Sequence, residues 1–356
     1  MAKKTTRKKP PSKSLNRSLN AAKAAKQDEF YTQLPDIEKE LKHYGKHFKG
    51  KTVLCNCDDP KVSNFFHYFS HKFHTLKLKK LITTCYKNAD PDIFSKHEGK
   101  RGLRLIYNGE QTPGGRVPAF SKLDRLPLEG DGDFRSDECL ELLKRADIVV
   151  TNPPFSLFRE YFAQLIEHKK KFIIIGTMPA ITYKGIFELL RDNKVWLGYS
   201  HPVAFKVPDH YEMRKVRSWR DEKGNNWRSL GNACWFTNLD IAKRHEDLPL
   251  YTTYEAKVFP KYDNYQAIEV NRCKDIPGDY DGVMGVPVTF LDRYNPDQFE
   301  IIGSNQGVGQ DPKGVYGRGS RLNGKETFKR IFIRNKKLIG KLIPGGSGPQ
   351  LSGKSG

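Results

Sequence analysis

The spacing of apolar positions changes along the chain, and that change separates two kinds of element. "KTVLCNC" (51–57), "LKKLITTCYK" (78–87), "GLRLIYN" (102–108), "DIVVT" (147–151), "KFIIIGT" (171–177) and "KVWLGYS" (194–200) are short, nearly continuous apolar runs. Runs of this length suit strands buried on both faces. Between them the apolar residues fall at helical spacing, as Phe65, Phe66, Phe69 and Phe73 do within 61–73, with further helices predicted over 137–145, 156–168 and 183–191. Strands separated by helices predict a parallel sheet covered on both faces, a doubly wound α/β domain. "NACWFTNL" (232–239) predicts one more strand of the same sheet.

The texture changes after about residue 202. Residues 207–230 are polar and rich in Arg and Trp ("MRKVRSWRDEKGNNWR"), and beyond 245 Tyr, Pro, Gly and Asp accumulate. "QGVGQDPKGVYGRGSRLNGK" (306–325) is glycine-rich and basic, "FKRIFIRNKKL" (328–338) predicts a last strand, and "PGGSGPQLSGKSG" (344–356) reads as a flexible tail. The expected organisation is a basic arm (1–26), an α/β domain (27–240) carrying a polar insert (207–230), a second region (241–340) and a tail (341–356). The 356 residues suffice for one large domain or two ordinary ones.

Charge narrows the class of partner. The formal net charge is +21, which points to a polyanion. Lys3, Lys4, Arg7, Lys8, Lys9, Lys13, Arg17, Lys23 and Lys26 lie in an arm without acids, which reads either as a solubilising tail or as a phosphate-binding one. More than half of the excess still falls on the remainder. The six cysteines (55, 57, 85, 139, 234, 273) show no zinc spacing, so reduced thiols and no metal are expected. No run of about 18 apolar residues occurs, and the basic N-terminus lacks the apolar core of a secretion signal. The expectation is a cytoplasmic protein, nucleoid-associated if cellular, with no membrane partner and no obligatory protein partner.

In a doubly wound sheet, ligands bind at the carboxyl ends of strands where the direction of winding switches. Three stretches fall at such ends: "CNCDDP" after the first strand, "EGDGDFRS" (129–136) before the fourth and "TNPPF" (151–155) closing the fourth. Pro153 and Pro154 remove two backbone donors and fix torsions, which holds the Asn152 amide and the Pro153 carbonyl as a rigid pair of acceptors beside the Phe155 ring. Such a pair suits a planar amine. Two acceptors on its hydrogens pull the nitrogen toward tetrahedral geometry and free its lone pair, so no general base has to act first. A sulfonium methyl is already activated, and the protein has only to align donor and acceptor. From average residue usage, Asn-Pro-Pro-aromatic is expected on the order of 0.005 times in a chain this long; the bland alternative is a stiff strand-ending turn. "CNCDDP" alone reads equally well as a common acidic turn.

These motifs resemble the EcoRI-type adenine-specific modification methyltransferases, which use S-adenosylmethionine on DNA. The resemblance spans nearly all of residues 27 to about 340. "DEFYT" (28–32) resembles the motif that closes over the methionine end of the cofactor, "VLCNCDDP" (53–60) stands where most methyltransferases have a glycine-rich loop, "DGDFRS" (131–136) resembles the adenine-contacting motif and "TNPPF" the catalytic one. "NACWFTNL", "DNYQAIEV" and "DYDGVMGVPVTFL" are similar to further family blocks. The resemblance implies a Rossmann-like sheet with a C-terminal target-recognition region, and an enzyme that methylates N6 of an adenine flipped out of duplex DNA. It implies Asn152, Pro153, Pro154 and Phe155 as catalytic. It implies Phe30, Tyr31, Thr32, Cys55, Asn56, Asp58, Asp59, Asp133 and Phe134 as cofactor-binding. Arg214, Lys215, Arg217, Arg220 and Arg228, interleaved with Trp219 and Trp227, are candidates for phosphates or guanine edges, as are Arg318 and Arg321. A solvated basic hairpin and a flexible surface loop are the plainer readings of those two stretches. Cytosine-N4 methylation, RNA adenine methylation and a catalytically silent DNA-binding protein on the same scaffold remain open. A restriction-modification context, with a cognate nuclease, or an orphan or phage modification role would each be consistent.

Overall fold

The computed structural model describes residues 30–57, 63–85, 101–119, 122–123, 125–209, 211–213, 216–305 and 319–339. The expected arm (1–26) and tail (341–356) lie outside the described residues. The chain divides into two units, Met1–Ile186 with Val195–Ile241, and Phe187–Lys194 with Ala242–Gly356. No described helix is long and apolar enough to cross a membrane.

The first unit contains β1 (Thr52–Asn56), β2 (Lys80–Cys85), β3 (Leu103–Tyr107), β4 (Arg125–Pro127), β5 (Ile148–Thr151), β6 (Lys171–Thr177), β7 (Trp196–Leu197), β8 (Ala204–Lys206), β9 (Ser218–Arg220), β10 (Asn226–Ser229) and β11 (Ala233–Thr237). Eight of these form one sheet in the order β4-β3-β2-β1-β5-β6-β11-β7, and β8-β10-β9 form a second, small sheet. The four central strands are parallel. The flanks correct the all-parallel expectation: β3, β4, β11 and β7 run antiparallel to their neighbours. A parallel return needs a long crossover, usually a helix. The polar stretch 86–101 between β2 and β3 has no apolar stripe for one. The run expected as a strand over 194–200 pairs at only two residues, on the outer edge, and the helix expected over 183–191 spans Ile186–Arg191.

Both faces of the sheet are covered, which is why its central strands read as unbroken apolar runs. On one side Ile37 and Leu41 of α1 (Leu34–Leu41) and Phe65 and Phe69 of α2 (Asn64–Lys72) share a core with Val53, Ile148, Val150, Ile173, Ile175 and Trp235. On the other, beside α3 (Asp137–Arg145), α4 (Phe158–Glu167) sets Phe162 against Phe172 and Phe158 against Phe236, with ring centroids 5.5 and 5.3 Å apart. Strand alternation decides the side: Ile148 and Val150 face the first core, and Val149 points the other way.

Glu40 of α1 is fully buried. Its carboxylate accepts from the Tyr44 hydroxyl (2.8 Å), the Tyr199 N–H (2.9 and 3.1 Å), and the Ser200 N–H (2.8 Å) and hydroxyl (2.7 Å). Burial, and then this carboxylate, push the Tyr44 phenol up, so Tyr44 stays a donor. Gly198 is required, because a Cβ there would overlap Glu40 Oε1.

The second unit is built on β12 (Ala267–Glu269), β13 (Val283–Pro287), β14 (Phe299–Ser304) and β17 (Arg330–Asn335), in the order β12-β13-β17-β14, with a hairpin of β15 (Arg321–Leu322) and β16 (Lys325–Glu326). β12 and β13 are parallel; β17 is antiparallel to both neighbours. A buried ion pair crosses this sheet. The Arg330 guanidinium donates through Nε (2.8 Å) and Nη2 to Glu269 Oε1, while the Tyr262 hydroxyl donates to Glu269 Oε2. Removing one partner of such a pair strands a buried charge. Arg330→Ala should therefore destabilise this unit by about 3–5 kcal/mol in urea unfolding, whereas Arg330→Met combined with Glu269→Gln should cost far less. Equal losses from the two would show that the charge pairing is not what matters.

Candidate active site

β1 continues to β2 on one side of the sheet and β5 to β6 on the other. Their adjacent carboxyl ends are therefore the switch point, where an open α/β sheet offers a crevice. The two ends are fastened together. The Thr151 hydroxyl donates to the Asn56 carbonyl, and the Tyr161 hydroxyl, from α4, donates to Asn56 Oδ1. The next residue, Cys57, has φ 73°, a left-handed conformation that glycine adopts without cost. The turn keeps the backbone demand usually met by a glycine although no glycine is present.

Asn152 follows Thr151 directly and is 7% exposed. Its Nδ2 donates to the carbonyl of Phe30 at 2.6 Å, and that bond fixes which way the amide faces. Oδ1 is left buried with no hydrogen-bond partner among the described residues. Such an orphan costs about 1–3 kcal/mol and calls for an explanation. Pro154 (φ −54°, ψ 126°) leads into a 3₁₀ turn, Phe155–Leu157, that runs on into α4. The Phe155 ring stacks on Phe30, with centroids 5.4 Å and planes 25° apart, and Phe30 in turn meets Phe205 (5.8 Å) and Tyr211 (5.9 Å) edge-on. Tyr31 pairs with Lys206 of β8 (2.8 and 3.3 Å), and the Thr32 carbonyl accepts from Asn64 Nδ2 (2.7 Å). The segment 30–32 is thus clamped across the end of β5. Thr32 Oγ1 is a second buried polar atom without a partner among the described residues.

A family model described as "Adenine-specific methyltransferase EcoRI" matches residues 18–337. The type II methyltransferase M.EcoRI of Escherichia coli is 49% identical over 91% of this chain and 98% of its own length. M.MgeORF184P of Mycoplasma genitalium is 37% identical and M.MpnI of Mycoplasma pneumoniae 35%, each over 90% of this chain and 99% of its own length. The chain belongs to the EcoRI adenine-specific methyltransferase family. No solved structure matches it.

Within this adenine-specific methyltransferase the expected site residues divide. Asn152, Pro153, Pro154, Phe155, Phe30, Tyr31, Thr32 and Asn56 gather at the switch point. Cys55 is fully buried in the core, so its thiol is not presented at the crevice. Asp58 and Asp59 lie outside the described residues. The Asp133 carboxylate is occupied by its neighbour: Arg135 donates to it from N and Nε (both 2.9 Å) and Nη2 (2.6 Å). Burial pushes this carboxyl up, but the Arg135 bonds outweigh it and hold it below its usual range. The Phe134 ring packs edge-on against Tyr161 at 5.0 Å. Tyr161, Phe205 and Tyr211 are positioning residues that spacing could not reveal, since each acts on a partner far away in the chain.

The small sheet β8-β10-β9 carries the Arg and Trp residues expected to meet DNA. Trp219 and Trp227 stack across β9 and β10, 6.2 Å apart and 7° from parallel. Arg217 and Arg220 are exposed, although Arg220 Nε also donates to Asn226 Oδ1 (3.0 Å). Arg228 is half-buried, its Nη1 donating to the Val216 carbonyl and to Ser218 Oγ (3.1 Å), so it also ties the hairpin together. Arg214, Lys215 and Arg318 lie outside the described residues; Arg321 is exposed on β15. The second unit adds an open cavity of about 670 Å³ lined in part by Arg272, Lys274, Arg293 and Tyr251.

Asp221 closes the hairpin turn. Hydrogen bonds from Asn225 and then Trp227 pull its carboxyl down to about 2. A depressed folded value means that its contribution is complete above the ordinary carboxylate range and is lost as pH falls toward 2. Tryptophan fluorescence of the hairpin should stay constant down to about pH 4 and change below it, and Asp221→Asn should abolish that acid transition. At the switch point, Cys57→Gly should leave stability unchanged or raise it by up to about 1 kcal/mol, and Cys57→Val should lower it by about 1–2 kcal/mol. Destabilisation by both variants would show that the thiol, rather than the backbone, matters there.

Proposed function

We propose that the chain methylates N6 of adenine in duplex DNA with S-adenosylmethionine as donor, taking the target base out of the duplex into the crevice at Asn152–Phe155. The observation that carries this is Asn152 Oδ1, a buried acceptor without a partner among the described residues, in an amide locked by the Phe30 carbonyl. An exocyclic amine offers the two hydrogens that Oδ1 and the Pro153 carbonyl would accept. Drawing both hydrogens out of the plane of the ring takes the nitrogen lone pair out of conjugation and toward the methyl donor. The same acceptors hold the amine hydrogens as the nitrogen gains the methyl and a positive charge, and one of those protons then passes to solvent to leave the neutral methylamine. Because the acceptors are preorganised, little reorganisation accompanies reaction. Phe155, backed by Phe30 on one face, would stack on the base with the other.

The orphaned Thr32 hydroxyl and the left-handed exit of β1 fit a polar donor molecule at the strand ends. Phe30, Tyr31, Thr32, the main chain from Cys55 to Cys57, Asp58, Asp59 and the Asp133–Phe134 segment would hold it. Bound there, S-adenosylmethionine supplies a methyl group already activated by its sulfonium charge. The excess of positive charge supports a nucleic-acid substrate, and the type II naming of the relatives supports a site-specific reaction in a modification system.

Asn152→Ala should retain cofactor binding by calorimetry and lose methyl transfer to duplex DNA by about 10²–10³-fold. Mass analysis of the nucleosides should show N6-methyladenine from the parent protein. Near-normal turnover by the variant, or N4-methylcytosine as the product, would overturn the assignment.

A further inference from the structure

Phe328 stands in the three-residue link between β16 and β17 and is 86% exposed, more than any other large, wholly apolar side chain among the described residues. A single apolar side chain in water is unremarkable by itself. What distinguishes this one is how firmly its backbone is held. The Thr327 N–H donates to the Ser320 carbonyl at 2.8 Å, and Asn305 Nδ2 donates to the carbonyl of Phe328 itself at 2.8 Å. Asn305 is fixed in turn: its Oδ1 accepts from the Arg330 N–H (2.7 Å), its Nδ2 also reaches Ser320 Oγ (2.7 Å), and its N–H donates to the Arg330 carbonyl (3.2 Å). Arg330 is anchored by the buried Glu269. Asn305, Ser320, Arg330 and Glu269 are all buried. A satisfied buried network of this kind fixes one backbone course, and from that backbone the ring projects into solvent.

The exposed charges nearest to it in the chain are mostly positive: Arg321, Lys325 and Lys329, against one acid, Glu326. A rigidly presented apolar ring with cations on either side matches the chemistry of a base stack between two phosphate backbones. Proteins that unstack DNA insert such residues between base steps. The surrounding cations gain by releasing counterions from the phosphates.

We infer that Phe328 is a wedge that enters the DNA base stack and opens one step, while Arg321, Lys325 and Lys329 take the adjoining phosphates. This rests on the reading that the substrate is duplex DNA with an extruded adenine. The second unit thereby contributes to deforming the duplex, and reading base edges is not its only task.

The test replaces each base of a methylated site in turn, apart from the target, with 2-aminopurine, whose fluorescence rises on unstacking. With the parent protein and with Phe328→Trp, one position should brighten. With Phe328→Ala that signal should vanish and affinity should fall about tenfold, the loss of one stacking contact. The melting temperature should not change, since the side chain is exposed. An unchanged 2-aminopurine profile with Phe328→Ala overturns the wedge, as does a loss of affinity confined to sites with one particular thymine, which would mark a methyl contact instead. Failure of the parent protein to methylate duplex adenine would overturn the underlying reading, and the methyl-transfer control reports that separately.

Discussion

The bond from the Thr151 hydroxyl to the Asn56 carbonyl sets where everything else at the candidate site can be. It joins the ends of β1 and β5, the two strands between which the winding of the sheet reverses, and it does so one residue before Asn152. With the strand ends tied, the two prolines carry that position into the loop, and Asn152 cannot drift relative to the sheet. The clamp from the other side, Phe30 on both the amide and the ring of Phe155, would be useless against a loop free to move. A side chain held from two directions needs no reorganisation to act, the condition under which electrostatic catalysis is strongest.

The apolar runs made most of the central sheet legible, because strands buried on both faces are built mostly from apolar residues. β6 spans 171–177, the same residues as the apolar run that predicts it. Strand direction was not legible: an apolar run reads the same either way, and only the chemistry of the connection between β2 and β3 bears on it. The run at 194–200 is apolar for a different reason. It lies at the sheet edge, where Tyr199 and Ser200 serve as donors to Glu40 and not as strand pairs. The motif at Asn152–Phe155 was legible because its residue types are rare together. The clamp was not, since Asn152 and Phe30 are 122 positions apart and neither residue signals the other.

Charged residues told more about partners in sum than one by one. Arg135 closes on Asp133, Arg228 ties a hairpin loop and Arg330 neutralises Glu269. Each counts toward the formal charge of +21, yet Arg135 and Arg330 already have acidic partners within the chain. Two buried carboxylates show how different the internal solutions are. Glu269 takes a guanidinium, whereas Glu40 takes backbone and hydroxyl donors. In the first case a salt bridge spans a sheet; in the second a helix is sewn to a turn, at the cost of forbidding any side chain at residue 198.

The pairing of Tyr31 with Lys206 has a consequence for how the protein comes into being. Chains fold as they leave the ribosome, beginning from the N-terminus, yet the segment that emerges first has its partner strand among residues synthesised much later. Contacts so far apart form late, after the entropy of a long closed loop has been met. Until β8 has been made, the Tyr31–Lys206 pairing that seats Phe30 over the Asn152 amide has no second strand. A translation product that stops after β6 would carry the whole Asn152–Phe155 motif without the strand on which its clamp is seated.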